Sequence, residues 1–207
     1  MNPFLHSLQR VWRLAMVGAW LSGWAGICYA ADAPKKPDFQ MLTETIEIPE
    51  RGSVPSYAIL SSSLKFSFLP PPNWKMESNP LEKSITLTTP DFSTVLRFQI
   101  TTNQERKLPI WRQRIQEQLP EAKIVREFVC YTSGRQGMAF DCEQTLTNKF
   151  QAATRIAYIP FEDGTVEFQM TSSPDKLRQH HFAFGCLLNS FRIDPWPAKK
   201  ISAQNQP

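Results

Sequence analysis

Histidine, glycine and cysteine are scarce in this sequence: its 207 residues include 3 histidines, 8 glycines and 4 cysteines. The G-x-S-x-G string of serine hydrolases and the G-x-x-x-x-G-K phosphate loop are both missing. His180 and His181 are adjacent on a predicted helix, so they point about 100° apart and cannot share a metal ion. We therefore expect no catalytic motif, no metal site and no cofactor.

A strong excess of one charge is also missing, because 23 basic residues face 19 acidic ones and the net charge is +4. Proteins that bind nucleic acids concentrate basic charge far more strongly. The balance is typical of an ordinary mixed surface and predicts no nucleic-acid partner.

The amino end has the pattern of a secretory signal peptide. Two arginines precede an apolar segment, 14–27, and small residues follow it. Cleavage after Ala30 would remove residues 1–30 and leave a periplasmic or secreted protein. Two alternatives stay open. The run 14–31 reaches the lower length limit of an uncleaved membrane anchor, and Cys28 is a candidate for lipid modification.

Polar, proline-rich segments lie on both sides of the central region. Residues 31–41 are predicted to be a flexible linker and residues 195–207 a disordered tail, because neither buries enough apolar surface to offset its ordering entropy. Residues 42–194 then form a single α+β domain of ordinary size.

Alternating apolar residues in this domain predict an antiparallel sheet of about six to eight strands covered by two main helices, as an α/β/α sandwich. The first helix is predicted over 108–119, where Leu108, Trp111, Ile115 and Leu119 recur at helical spacing. The second is predicted to open at Ser173-Pro174 and to end near Ser190.

The cysteines predict one disulfide. Residues 128–142 read as a hairpin centred on Gln136, which places Cys130 opposite Cys142 at bridging distance. An oxidising compartment would favour that bridge. Cys186, left over in an apolar helical stretch, is predicted to be a buried and inert thiol.

Two segments resemble the PsbP/Mog-like superfamily, which includes exported envelope proteins of the DcrB type. They are Phe66-Ser67-Phe68-Leu69-Pro70 with Trp74, and Leu187-Leu188-Asn189-Ser190-Phe191-Arg192. The order of elements fits over most of residues 42–194. The resemblance implies an α/β/α fold and a role in docking onto protein partners, and it assigns no site residue.

Candidate partner contacts lie in a charged segment and in the tail. Trp196 is predicted to be exposed, and tryptophan is frequent at binding hot spots. Arg106, Arg112 and Arg114 would meet an acidic partner or lipid headgroups, or would simply form a solvated helix face.

These observations favour a non-catalytic, protein-binding or accessory protein of the cell envelope or periplasm. One alternative is an exported hydrolase, which would need two acids facing each other across a cleft. Asp141 with Glu143, and Glu162 with Asp163, are the acidic pairs that the sequence offers. The other alternative is a carrier of a small ligand or lipid, for which a closed apolar cavity would be expected.

Overall fold

The computed structural model describes residues 39–50, 52–61, 63–102, 107–146 and 150–196. Its strands are β1 (Phe39–Ile48), β2 (Gly52–Ser61), β3 (Leu64–Phe68), β4 (Lys75–Asn79), β5 (Ser84–Thr88), β6 (Thr94–Thr102), β7 (Lys123–Thr132), β8 (Arg135–Thr145), β9 (Gln151–Phe161), β10 (Gly164–Ser172) and β11 (Arg192–Pro195). Its helices are α1 (Leu108–Gln118), α2 (Pro174–Gln179) and α3 (His181–Ser190). The predicted signal peptide, residues 1–30, lies outside the described residues. None of the described helices is long and apolar enough to cross a bilayer.

The strands form two antiparallel sheets, one of 4 strands in the order β1-β2-β3-β11 and one of 7 in the order β4-β5-β6-β10-β9-β8-β7. This corrects the prediction of a single sheet with two main helices, since the fold is mainly β with two sheets and three described helices. The proline run 70–72 lies between β3 and β4. Proline cannot donate to a sheet ladder, so the chain leaves the first sheet there and enters the second.

The main core lies between the two sheets. Phe66 meets Phe161 edge-on at a centroid distance of 5.5 Å, and Phe68 meets Phe98 in the same way at 4.9 Å. Phe66 and Phe68 are alternate residues of β3, so both rings lie on the same face of the four-stranded sheet. Helix α3 closes this core with buried residues such as Leu187.

A second, smaller core lies on the opposite face of the seven-stranded sheet, beneath α1. Trp111 and Ile115 of that helix are buried there, and the Trp111 ring stacks on Tyr158 at 5.5 Å. The helix predicted over 108–119 is therefore confirmed. We call the sheet face beneath α1 the outer face, and the face toward the four-stranded sheet and α3 the inner face.

The helix predicted from Ser173-Pro174 to Ser190 is broken at His180. This residue has φ −95° and ψ 7°, in the bridge region where regular helix cannot continue. Its ring packs edge-on against Trp74 at 5.4 Å. The break separates α2 from α3 and turns the two helices over the inner face of the sheet.

Both ends of the domain extend further than expected. Strand β1 begins at Phe39, within the predicted linker 31–41, because Phe39 is buried in the main core and opposes Ser61 in the sheet. At the other end Pro195 belongs to β11, and the amide of Trp196 donates to the carbonyl of Ser63 at 2.7 Å. The rest of the predicted tail lies outside the described residues.

The predicted disulfide between Cys130 and Cys142 is wrong, because both cysteines are unbridged. The hairpin turns at Ser133-Gly134, where Gly134 has φ +78°, and not at Gln136. Cys130 therefore opposes Gly137, whereas Cys142 opposes Ile124. The five residue steps from position 137 to position 142 separate the two cysteines by about 17 Å, far beyond disulfide reach.

The expectation for Cys186 is also wrong. Its thiol is exposed on α3. The apolar residues around it in the sequence are those of the opposite helix face, where Phe184, Leu187 and Leu188 pack into the core.

Candidate functional site: an arginine-lined pocket

A surface pocket of about 330 Å³ lies on the inner face where β7, β8 and β9 pass beneath α2 and the start of α3. Its charged and titratable lining consists of Arg126, Asp141, Glu143, Arg155, Arg178 and His181. We call it the arginine pocket. Its volume is at the lower end of the range of small-molecule sites.

A β-bulge aims two residues of the edge strand into this pocket. Ile124 opposes Cys142 and Arg126 opposes Asp141, so Val125 is an extra residue with no partner on β8. A bulge of this kind re-aims the side chains of its strand. Both Val125 and Arg126 line the pocket as a result.

The floor of the pocket is a charged pair across two strands. Arg155 of β9 opposes Asp141 of β8, and its guanidinium donates to both carboxylate oxygens at 2.6 and 2.8 Å. The two side chains are only 8% and 17% exposed. A bidentate arginine–carboxylate pair is strong and geometrically fixed, so the Arg155 charge is largely neutralised.

Arg126 differs from Arg155 in its charge balance. Both guanidinium groups stack on the ring of Phe128, at 4.8 and 5.0 Å from its centroid. No described residue forms an ion pair with Arg126, which is exposed to solvent. Arg126 therefore contributes a positive charge that is not held in an ion pair, in a lining that also contains Glu143.

The pKa of His181 is lowered by its surroundings in the pocket. Burial lowers this pKa, and the charge of Arg155 lowers it further, whereas the opposing effect of Asp141 is smaller. His181 is therefore neutral near pH 7 and offers hydrogen bonds without adding charge.

An exposed aromatic residue follows the lining residue His181 in the chain. Phe182 follows His181 at the start of α3 and its side chain is 82% exposed. Arg178 on α2 lies on the same side and forms an exposed ion pair with Asp175. An aromatic anchor beside arginines is a frequent composition of binding hot spots.

Two of the pocket's groups are poorly suited to hydrolysis. Burial raises the pKa of the Cys142 thiol to about 11, so it is not a nucleophile at neutral pH. Asp141 is held by Arg155 and so is not available as a general acid or base. What the arrangement can do is bind a carboxylate beside an apolar contact.

The structure places the predicted contact residues elsewhere. Arg112 pairs with Glu127 at 2.6 Å, and Arg114 pairs with Glu167 at 3.1 Å, both near the outer face. Trp196 follows β11 in the other sheet and is 38% exposed, with the Lys65 ammonium 5.7 Å from its ring centroid. The structure therefore does not bring Trp196 and these arginines together. Arg106 lies outside the described residues.

Sequence reasoning missed Arg126, Arg155 and Arg178. For Arg155 a signal existed, since it is the one charged residue in the otherwise apolar and neutral strand 151–161. A charge in a buried strand needs a partner. Nothing in the sequence marks the bulge that exposes Arg126.

No protein-family model and no curated protein matches the chain. Matching solved structures include the cyanobacterial PsbP (CyanoP) of Synechocystis, with 9% identity, coverage of 83% of this chain and 100% of that one, and a TM-score of 0.49. Another is LpqN of Mycobacterium tuberculosis, a protein involved in cell envelope biogenesis. It has 12% identity, coverage of 75% and 92%, and a TM-score of 0.38.

At these identities the chain is similar to both structures in fold alone. Both TM-scores are below 0.5.

Proposed function

We propose that this chain is an exported, non-catalytic accessory protein that binds a partner protein, and that the arginine pocket receives a carboxylate of that partner. The observation that carries the proposal is the geometry of Arg126. The bulge aims it into the pocket, Phe128 supports it, and no described acid pairs with it.

The composition of the pocket favours docking over catalysis. Its buried ion pair between Arg155 and Asp141 is rigid and satisfied, so it supports the site without taking part in proton transfer. A carboxylate that enters beside Arg126 would gain a charge-assisted hydrogen bond. Phe182, which is exposed and follows His181 in the chain, would add apolar contact area.

A photo-cross-linking experiment tests this proposal. Phe182 is replaced by p-benzoylphenylalanine in the full chain, expressed in the native host, and adducts are identified by mass spectrometry. We expect one dominant protein adduct, which is lost when Arg126→Glu is added. The matched control is Arg192→Glu, an exposed arginine on β11 in the other sheet.

The outcomes separate the possibilities. An adduct that persists in the Arg126→Glu variant would show that binding does not use the pocket. Absence of any protein adduct in the presence of the folded variant would contradict protein binding itself. Retention of the adduct with Arg192→Glu is required for the effect of Arg126→Glu to count as specific.

A further inference from the structure

Strand β7 is a free edge of the seven-stranded sheet. It is the last strand in the order, and β8 is its one partner among the described strands. A free edge presents a row of backbone N–H and C=O groups that can pair with a strand of another chain. Natural proteins protect such edges with charged residues, prolines, bulges or short strands.

The other three edges of the two sheets are protected in this way. The exposed residues of β1 are two threonines and Glu47. Strand β4 has 5 residues, which include Lys75 and Glu77, and β11 has 4 residues and ends in Pro195. None of these three strands exposes a large apolar side chain in the part of the chain that the structure describes.

Strand β7 is protected only in its first half, where the bulge at Val125 lies. Residues 126–132 then pair regularly with β8 up to the turn. Within them, positions 128–132 contain no charged residue, no proline and no glycine. Val129 and Tyr131 are 43% and 59% exposed there. This part of the edge therefore combines exposed apolar side chains with open backbone groups.

The regular segment 126–132 is complementary to a second copy of itself. An antiparallel pair that uses the whole segment is centred on Val129, because this residue is equally distant from both ends. Val129 then opposes Val129 of the second copy in an apolar contact, and Glu127 opposes Tyr131 on either side of it. Glu127 binds Arg112, but a carboxylate accepts several hydrogen bonds, so it can also accept one from the tyrosine hydroxyl. Centring the pair on Glu127 would instead set two carboxylates directly opposite each other, which is destabilising.

We propose that the protein forms a homodimer in which the β7 strands of two copies pair antiparallel about Val129 and join the two seven-stranded sheets into one. On the inner face Arg126 opposes Thr132, and Phe128 opposes Cys130, so no like charges meet. A two-fold axis through the pair, perpendicular to the sheet, places both arginine pockets on the same side of the joined sheet. The inference does not rest on what those pockets bind, since it uses the backbone and the outer face of β7.

Analytical ultracentrifugation of the full chain, expressed in its native host and purified, measures this association. A strand pair of this length buries less area than a standard interface of about 1,600 Å², so we expect a dissociation constant of about 10–100 μM. Val129→Glu would set two carboxylates directly opposite each other and is expected to weaken the association about tenfold or more. The matched control is Val95→Glu, at a valine that is 39% exposed on the interior strand β6, and it is expected to change nothing.

A disulfide cross-link tests the register of the pair. Because Val129 opposes itself, Val129→Cys brings two thiols within disulfide reach. Cys186→Ser is added to remove the exposed native thiol. Oxidised glutathione is expected to convert this double variant to a covalent dimer, whereas Val95→Cys in the same Cys186→Ser background is expected to stay uncross-linked.

Three outcomes would overturn the proposal. A protein that stays monomeric at concentrations well above the expected dissociation constant does not pair through β7, and the edge would then be left to a strand of another protein. Association that Val129→Glu does not weaken uses another surface. Failure of Val129→Cys to cross-link excludes the register about Val129. Since this side chain is exposed, both variants should keep the fold of the wild type, which circular dichroism checks.

Discussion

The ion pair between Arg155 and Asp141 predicts a large loss of stability when one partner alone is removed. In Asp141→Ala the guanidinium of Arg155 stays in a place where its side chain is 8% exposed, and both hydrogen bonds to the carboxylate are lost. Breaking a buried pair in this way costs about 3–5 kcal/mol. We expect about 3 kcal/mol, the lower end of that range, because the pocket admits water and the Phe128 ring still stacks on Arg155.

Urea unfolding followed by circular dichroism measures this loss, and thermal unfolding checks it. For a domain of this size the melting temperature should fall by about 6–12 °C. Replacing both partners, as in Asp141→Leu with Arg155→Met, should recover most of the loss, since an apolar pair leaves no buried charge. The control is Glu82→Ala, which breaks an exposed pair with Arg97 and should cost less than about 1 kcal/mol. A loss below about 1 kcal/mol in Asp141→Ala would refute the view that Arg155 depends on this carboxylate.

Two further predictions concern turns and glycines. Hydrogen bonds from Thr89 and Ser93 lower the pKa of Asp91, so its contribution to stability is present above about pH 4 and is lost as the pH falls. The difference in urea midpoint between wild type and Asp91→Ala should shrink between pH 7 and pH 3, and a constant difference would contradict it. Gly137→Ala should destabilise by about 1–3 kcal/mol in the same unfolding assay, because its Cβ would overlap the carbonyl oxygen of Tyr158. Gly185→Ala on α3, with nothing within 4 Å, should be neutral or stabilising.

Much of the secondary structure could be predicted from local pattern. The strand Ser84–Thr88 and the first helix follow directly from periods of two and of about 3.6 residues, together with the proline at the start of α1. The division into two sheets could not be predicted. Alternation tells which side of a strand is buried but not which strands pair, and that choice depends on contacts such as Phe66 with Phe161 that are distant in sequence.

The hairpin of β7 and β8 shows how a small error in a turn moves a whole set of contacts. Two glycines, Gly134 and Gly137, offered two centres for the same turn. Gly134 takes the positive φ, whereas Gly137 lies in the strand because the Tyr158 backbone approaches too closely for any side chain. The shift removes the predicted disulfide and aligns Asp141 with Arg126 and Arg155, the alignment on which the arginine pocket depends.

The seven-stranded sheet separates the arginine pocket from the core beneath α1. On β9 the side chain of Arg155 lies on the inner face, and its neighbour Ile156 packs beneath α1 on the outer face, because successive strand residues point to opposite sides. The same alternation puts Asp141 in the pocket and Phe140 beneath α1. Since the interior between them is close-packed, a substitution at Arg126 should change binding at the pocket and leave the stacking of Trp111 on Tyr158 in place.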